Sequence, residues 1–129
     1  MSPPDDPLTR KIIGICIEAH RILGPSVLES AYQKALTWDL RRGGIRFRQQ
    51  VLTPALYHGL RIEPAYRVDL IVEEQVVVEI KAVDMLLPVH EAQVLTYMRL
   101  LEIPVGLLIN FRVPVLKDGI RRLELRPRG

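Results

Sequence analysis

The sequence predicts an α/β or α+β domain, a sheet flanked by helices, in the order α-α-β-β-β-α-β-β. Three observations lead there. The first third repeats apolar residues at helical spacing. From residue 47 the repeat shifts to period two and to β-branched residues. A later helical stretch, residues 89–101, then separates two further strand-like segments.

Taken in order, residues 1–7 are rich in proline and read as a loose arm, with residues 8–129 as one domain. Thr9 is a candidate helix N-cap. Ile12, Cys16, Ala19 and Leu23 then recur on one helical face, widened by Ile13 and Ile17, and Gly24-Pro25 stops the helix. A second helix opens near Ser26, presents Leu28, Ala31, Ala35 and Leu36, and ends at Gly43-Gly44. Trp38 on it reads as a packing residue. Residues 47–52 form a strand and Tyr57-His58-Gly59-Leu60 a turn. Residues 66–72 and 76–83 form two strands joined by Glu73-Glu74-Gln75. Pro88 introduces the third helix. Residues 105–111 are almost wholly apolar and read as a buried strand. Lys117-Asp118-Gly119 is a turn, and residues 120–125 alternate as a last strand.

Composition narrows the function classes. The chain has 129 residues, 48% of them hydrophobic, enough for one real core. A single cysteine, Cys16, excludes an intramolecular disulfide and sits on an apolar stripe. No apolar run approaches the ~20 residues that span a bilayer, and the polar N-terminus is unlike a signal peptide. A cytoplasmic protein is expected. A net charge of +3 and a pI of about 9.3 permit a polyanionic partner without demanding one. Arginines cluster at Arg41, Arg42, Arg46 and Arg48 and again at Arg121, Arg122, Arg126 and Arg128, either as solvated charge or as phosphate contacts. His20, His58 and His90 lack zinc-ligand spacing, and neither a nucleophile–histidine arrangement nor a glycine-rich phosphate loop is present.

The anomaly lies in the strand Val76-Val77-Val78-Glu79-Ile80-Lys81. Val76, Val78 and Ile80 take one face, and Val77, Glu79 and Lys81 the other. The preceding strand repeats the design, with Val68, Leu70 and Val72 on one face and Arg67, Asp69 and Ile71 on the other. If Glu73-Glu74-Gln75 is a three-residue loop, Val72 pairs with Val76 and Asp69 lies opposite Glu79. A two-residue loop would pair Asp69 with Ile80 and send Glu79 to the other face. With the odd loop, two carboxylates and an ammonium converge. A divalent cation relieves the repulsion, and oxygen ligands suit Mg²⁺ or Mn²⁺. The rival reading is a cross-strand salt-bridged surface, Glu79 with Lys81 and Asp69 with Arg67.

Asp69 and Glu79-Ile80-Lys81, followed by a helix containing Gln93, resemble the PD-(D/E)xK nuclease superfamily. More narrowly, the stretch Gly24-Pro-Ser-Val-Leu-Glu-Ser-Ala-Tyr32 is similar to the signature of the small bacterial GxxExxY family, as are Tyr66-Arg-Val-Asp-Leu70, Val78-Glu-Ile-Lys-Ala82 and His90-Glu-Ala-Gln93. The first glycine of that signature falls at Ser26, and the proline of the superfamily name is replaced by Val68. The resemblance implies a restriction-endonuclease-like mixed sheet and a Mg²⁺-dependent nuclease that hydrolyses DNA through a metal-activated water. It implies Asp69 and Glu79 as metal ligands, joined by Glu29 and the Ile80 carbonyl, with Lys81 assisting the water and Gln93 lining the site. Ser26 and Glu29 also match a capping box, so Glu29 is either a member of the acidic cluster or a helix cap. Tyr32 either bonds that cluster or packs with its hydroxyl satisfied. His90, Gln93 and Tyr97 share one polar helix face, either solvated or turned to the metal or the phosphate backbone. Arg41, Arg42, Arg46, Arg48 and Tyr97 are the candidate nucleic-acid contacts. So small a domain has no obvious specificity module, so a homodimer or a protein partner is expected to supply one. The alternatives are a catalytically silent nuclease-fold module that binds nucleic acid or protein, and a structural protein whose charged strand face is an interface.

Overall fold

The computed structural model describes residues 6–125. Its elements follow the expected order: α1 (Pro7–Leu23), α2 (Glu29–Arg42), β1 (Phe47–Tyr57), β2 (Leu60–Val72), β3 (Val76–Lys81), α3 (Pro88–Leu101), β4 (Val105–Asn110), a 3₁₀ turn (Leu116–Gly119) and β5 (Ile120–Glu124). The strands form one mixed sheet, ordered β1-β2-β3-β4-β5. β3 and β4 run parallel, and the other neighbouring pairs run antiparallel. Helix α3 is the crossover that a parallel pair requires. Helices α1 and α2 cover one face, where Ile12, Cys16, Tyr32 and Leu36 join the core of Leu70, Val78 and Leu107. Helix α3 covers the other, with Val94, Tyr97 and Met98 in the core of Val77 and Leu108. Covered on both faces, β4 buries all six of its residues, hence its unbroken apolar run. Among the described residues no helix is long and apolar enough to cross a membrane.

Gly106 is where α3 approaches β4 most closely. A Cβ there would stand 2.6 Å from Met98 Sδ and 2.7 Å from Val94 Cγ1. Gly106→Ala is therefore expected to destabilise by about 1–2 kcal/mol through overpacking. Gly14→Ala, with nothing within 4 Å of the new Cβ on a helix interior, should stabilise by about 0.5–1 kcal/mol. Urea unfolding of the two variants checks the opposite signs.

Several local expectations are corrected. Asp6, not Thr9, caps α1: its Oδ1 accepts from Thr9 N at 2.9 Å and its Oδ2 from Thr9 Oγ1 at 2.8 Å. Pro7 then occupies the first turn, where its fixed φ suits a helix start. The arm expected over residues 1–7 thus loses Asp6 and Pro7 to the fold, and residues 1–5 lie outside those described. Asp6 is also tied to Arg122 Nη2 at 2.8 Å, joining the start of α1 to β5.

Helix α2 begins at Glu29 rather than near Ser26, and its buried stripe is Tyr32, Leu36 and Leu40. Leu28 is 75% exposed and Trp38 62% exposed, so neither packs as expected. Tyr32 selects the face, because its ring stacks on Phe111 at 4.1 Å and its hydroxyl donates to the Gly24 carbonyl. That answers the question of Tyr32: it packs with its hydroxyl satisfied. On α1, Ile17 and Leu23 are likewise exposed, while Cys16 is fully buried and burial pushes its thiol up to about 12.

Strands β1 and β2 run well past residues 47–52 and 66–72, meeting at His58-Gly59 with φ of 47° and 82°, the type I′ hairpin turn. Pro54 and Pro64 hid this extension. Both are tolerated because β1 is an edge strand and β2 is paired with β3 only at residues 70–72.

Candidate active site

The β2–β3 turn sets the site. Val72 pairs with Val76, so Glu73-Glu74-Gln75 is the three-residue loop. Glu73 and Glu74 both sit at φ 53°, the left-handed region that usually calls for glycine. Ion pairs anchor each: Arg46 reaches Glu73 Oε2 at 3.1 Å and Arg48 reaches Glu74 Oε1 at 2.8 Å. The Arg46 backbone N–H adds a bond to Glu73 Oε1 at 2.8 Å. Two arginines expected to touch nucleic acid are thus engaged in holding the turn.

The odd loop brings Asp69 and Glu79 together, but not as a ladder pair. The β2–β3 pairing stops at Leu70–Val78. Beyond it the two carboxylates replace the ladder. Asp69 N donates to Glu79 Oε1 at 2.9 Å, and Ile80 N donates to Asp69 Oδ2 at 2.9 Å. On the other side of β2, Gln50 also skips its Cα partner and stands at φ 49°. This double lapse at Asp69 breaks the alternation of β2. Val68 therefore joins Ile71 in the α3-side core rather than Leu70 and Val72 on the other face, as the sequence pattern had it.

Glu29 reaches the same place from α2. Its Oε1 accepts from Ala82 N at 3.0 Å, at the end of β3. The Ser26 capping box does not form, because the helix starts three residues later. Each of the three carboxylates thus has one oxygen fixed by a backbone N–H, and among the described residues its other oxygen is not held by a hydrogen bond. Lys81 follows on β3, on the face of Glu79. Neither Glu79–Lys81 nor Asp69–Arg67 forms an ion pair among the described residues, so the salt-bridged alternative does not describe this surface.

Glu29, Asp69, Glu79, Ile80, Lys81, Gln93 and Tyr97 line one pocket of about 320 Å³. Of the polar face expected on α3, Gln93 and Tyr97 look into it. His90 instead accepts the Leu87 backbone N–H on Nδ1 at 2.9 Å, closing the helix start. Glu79 is only 3% exposed. Burial first, and then the Asp69 charge, push its carboxyl up to about 8, and burial also raises Asp69. Tyr97 is pushed up to about 12 by burial and by both carboxylates, so its phenol keeps its proton and acts as a donor. A buried and a half-buried carboxylate whose ionised forms repel are a donor set for a hard divalent cation. Among the described residues no three carboxylate, imidazole or thiol groups are yet gathered closely enough to cage one. Glu29 is the exposed member of the trio.

The first arginine cluster lies away from this pocket. Arg42 pairs with Asp39 at 3.3 Å, and Arg41 lies over the Phe47 ring at 5.1 Å, beside the engaged Arg46 and Arg48. Of the second cluster, Arg122 is tied to Asp6 and Glu124, while Arg126 and Arg128 lie outside the described residues. The cations beside the carboxylates are instead Arg67 and Arg112, which line an adjoining concavity. Arg67 was visible in sequence as Asp69's neighbour on the same strand face. Arg112 had no local signal, because the loop after β4 delivers it from a distance. Asn110, 2% exposed, shapes that region: its amide donates to the Val83 carbonyl at 2.8 Å and accepts from Val83 N at 3.1 Å.

The family description PD-(D/E)XK nuclease superfamily matches residues 6–123. Among curated proteins none matches. A solved structure described as the crystal structure of SSO0001 aligns with 95% of this chain at a TM-score of 0.51 and 19% identity. The chain spans 59% of that protein, and the likeness establishes a shared fold. The match over residues 6–123 coincides with the described helices and the mixed sheet that carry Asp69, Glu79 and Lys81; the chain belongs to the PD-(D/E)XK nuclease superfamily.

Proposed function

We propose that the chain is a Mg²⁺- or Mn²⁺-dependent nuclease that hydrolyses DNA phosphodiesters, and that within its superfamily it belongs with the GxxExxY proteins. One observation carries the reading: the β2–β3 ladder is broken where Asp69 and Glu79 exchange backbone bonds, which turns both carboxylates into one pocket with Lys81. The metal would be held by the free oxygens of Asp69 and Glu79, with Glu29 and the Ile80 carbonyl completing the set. When bound it supplies Lewis acidity toward the phosphodiester and makes water more acidic. The chain's own residues supply the rest. Lys81 orients the attacking water and stabilises charge growing on phosphorus oxygens. Gln93 and the Tyr97 phenol face the same space and donate hydrogen bonds to a phosphate. A homodimer or a partner protein supplies specificity.

The test is incubation of the purified protein with plasmid, single-stranded and branched DNA, with Mg²⁺, with Mn²⁺ and with EDTA. Metal-dependent cleavage is expected. Binding without such cleavage would favour a silent nuclease-fold module. Glu29→Gln keeps an acceptor for Ala82 N but removes a charge. It should lower cleavage about tenfold, equivalent to about 1.4 kcal/mol, while leaving the thermal midpoint unmoved. Unchanged cleavage would reduce Glu29 to a tether between α2 and β3.

A further inference from the structure

The candidate pocket has a neighbour of a different kind. On the α2 side of Asp69 lies a larger trough, about 490 Å³, whose lining includes Leu28, Gln33, Gln50, Arg67 and Arg112. It shares Glu29, Arg67, Asp69 and Ile80 with the carboxylate pocket, so the two spaces are continuous. Resting on the nuclease reading above, we propose that this trough seats one unpaired nucleotide of single-stranded or frayed DNA next to the scissile phosphate. Arg67 and Arg112 take the flanking phosphates, and Gln33 and Gln50 face the base edge.

Three observations carry this. First, the chemistry of the walls changes along the trough. Gln50 Nε2 donates to Gln33 Oε1 at 2.5 Å, and Gln33 Nε2 to Gln49 Oε1 at 3.2 Å, forming an amide row with donors and acceptors side by side. Such a pattern complements a base edge rather than a phosphate, which has only acceptors. Leu28, 75% exposed at the rim, offers apolar surface to a base face. The left-handed backbone of Gln50 stands where β1 skips its pairing with Asp69, so the amide row begins at the acidic cluster.

Second, the cations that line the trough and the adjoining pocket are few: Arg67, Lys81 and Arg112. Arg67 has no ion pair among the described residues, and the Arg112 pair with Asp84 is long, 3.7 Å, with both side chains more than half exposed. Arg42, Arg46, Arg48 and Arg122 are engaged by carboxylates elsewhere. Proteins that grip duplexes typically neutralise about 6–10 phosphates. This cleft offers Arg67, Lys81 and Arg112, enough for a short stretch of one strand. Third, a base inside a paired duplex is stacked away from any such trough, and reaching one requires opening the pair at a cost of a few kcal/mol. An unpaired nucleotide avoids that cost.

The experiment measures binding in EDTA, where no cleavage occurs, by fluorescence anisotropy. The probes are a fluorescein-labelled single-stranded oligonucleotide and the same strand in a blunt duplex. The wild type is expected to bind the single strand about tenfold more tightly, equivalent to about 1.4 kcal/mol. The double variant Gln33→Ala/Gln50→Ala should lose most of that preference with duplex affinity unchanged. Arg112→Ala should weaken both probes and reduce the salt-dependence slope by about 1. Circular dichroism spectra and thermal midpoints establish that each variant is folded. Gln33→Glu, which keeps the shape and adds a like charge to the trough, should weaken the single strand further. Equal or tighter duplex binding by the wild type, or a glutamine double variant that keeps the full preference, would overturn the trough. Single-strand preference without metal-dependent cleavage would overturn the nuclease reading and keep the trough. Cleavage without preference would do the reverse.

Discussion

Lys81→Ala is expected to lower metal-dependent DNA cleavage by about 10²–10³-fold while leaving the fold intact. The size follows from what a group aimed at developing charge contributes when water is excluded. The intact fold follows from the surroundings, because Lys81 is half-buried and its side chain makes no ion pair or hydrogen bond among the described residues. Asp69→Ala should abolish cleavage too, but with a second effect. It strands the Ile80 N–H that Asp69 Oδ2 now accepts at 2.9 Å, costing about 1–3 kcal/mol. Asp69→Asn preserves an acceptor and separates the two effects: cleavage lost, stability kept. Plasmid cleavage with Mg²⁺ and with EDTA, beside thermal midpoints for each variant, reads both. Cleavage that persists in Lys81→Ala and Asp69→Ala would remove this pocket from the chemistry.

Element types were legible because they rest on periodicity, which is local. The α-α-β-β-β-α-β-β order and the buried character of β4 follow from it directly. The site depended on one register, and the sequence left that open, since no glycine marks the Glu73-Glu74-Gln75 loop. What fixes it is non-local: Arg46 and Arg48, 27 and 26 residues before the glutamates they hold. The same two arginines were expected as nucleic-acid contacts, and their pairing with Glu73 and Glu74 was not foreseen, because a run of like charges says nothing about which carboxylates face it. The alternation rule holds along β3 but misplaces Val68 on β2. A strand keeps strict period two only while it is paired, and β2 loses pairing on both sides at Asp69. The rule therefore fails at the position where the chemistry is proposed. The capping box at Ser26 failed for a related reason. A local fit was available to Glu29, yet the longer reach to Ala82 N is the one formed.

Glu79→Gln is expected to stabilise the metal-free protein in alkaline solution, by roughly 2–4 kcal/mol or about 10 °C in thermal midpoint. Glu79 is buried beside Asp69 and its carboxyl is pushed up to about 8 in the fold. In the unfolded chain it titrates near the ordinary value of about 4.3. Between those values the folded state holds a proton that the unfolded state has lost. Stability from this group is therefore fully present below about pH 4.3, falls as pH rises, and is gone above about pH 8. Glutamine has no proton to lose, can still accept from Asp69 N, and offers its amide to the Asp69 carboxylate. The two proteins should therefore melt together at acid pH, separate steadily as the pH is raised to about 8, and keep that gap above it. Mg²⁺ adds the functional half of the argument. Binding a cation requires Glu79 to ionise, so Mg²⁺ should raise the wild-type midpoint more at pH 9 than at pH 6, and should scarcely move Glu79→Gln. Parallel melting curves at every pH would show that Glu79 carries no such strain. A Glu79→Gln variant stabilised by Mg²⁺ as strongly as the wild type would place the cation elsewhere. Together the two readouts ask whether this fold keeps a buried acid at a cost in stability that a bound cation relieves.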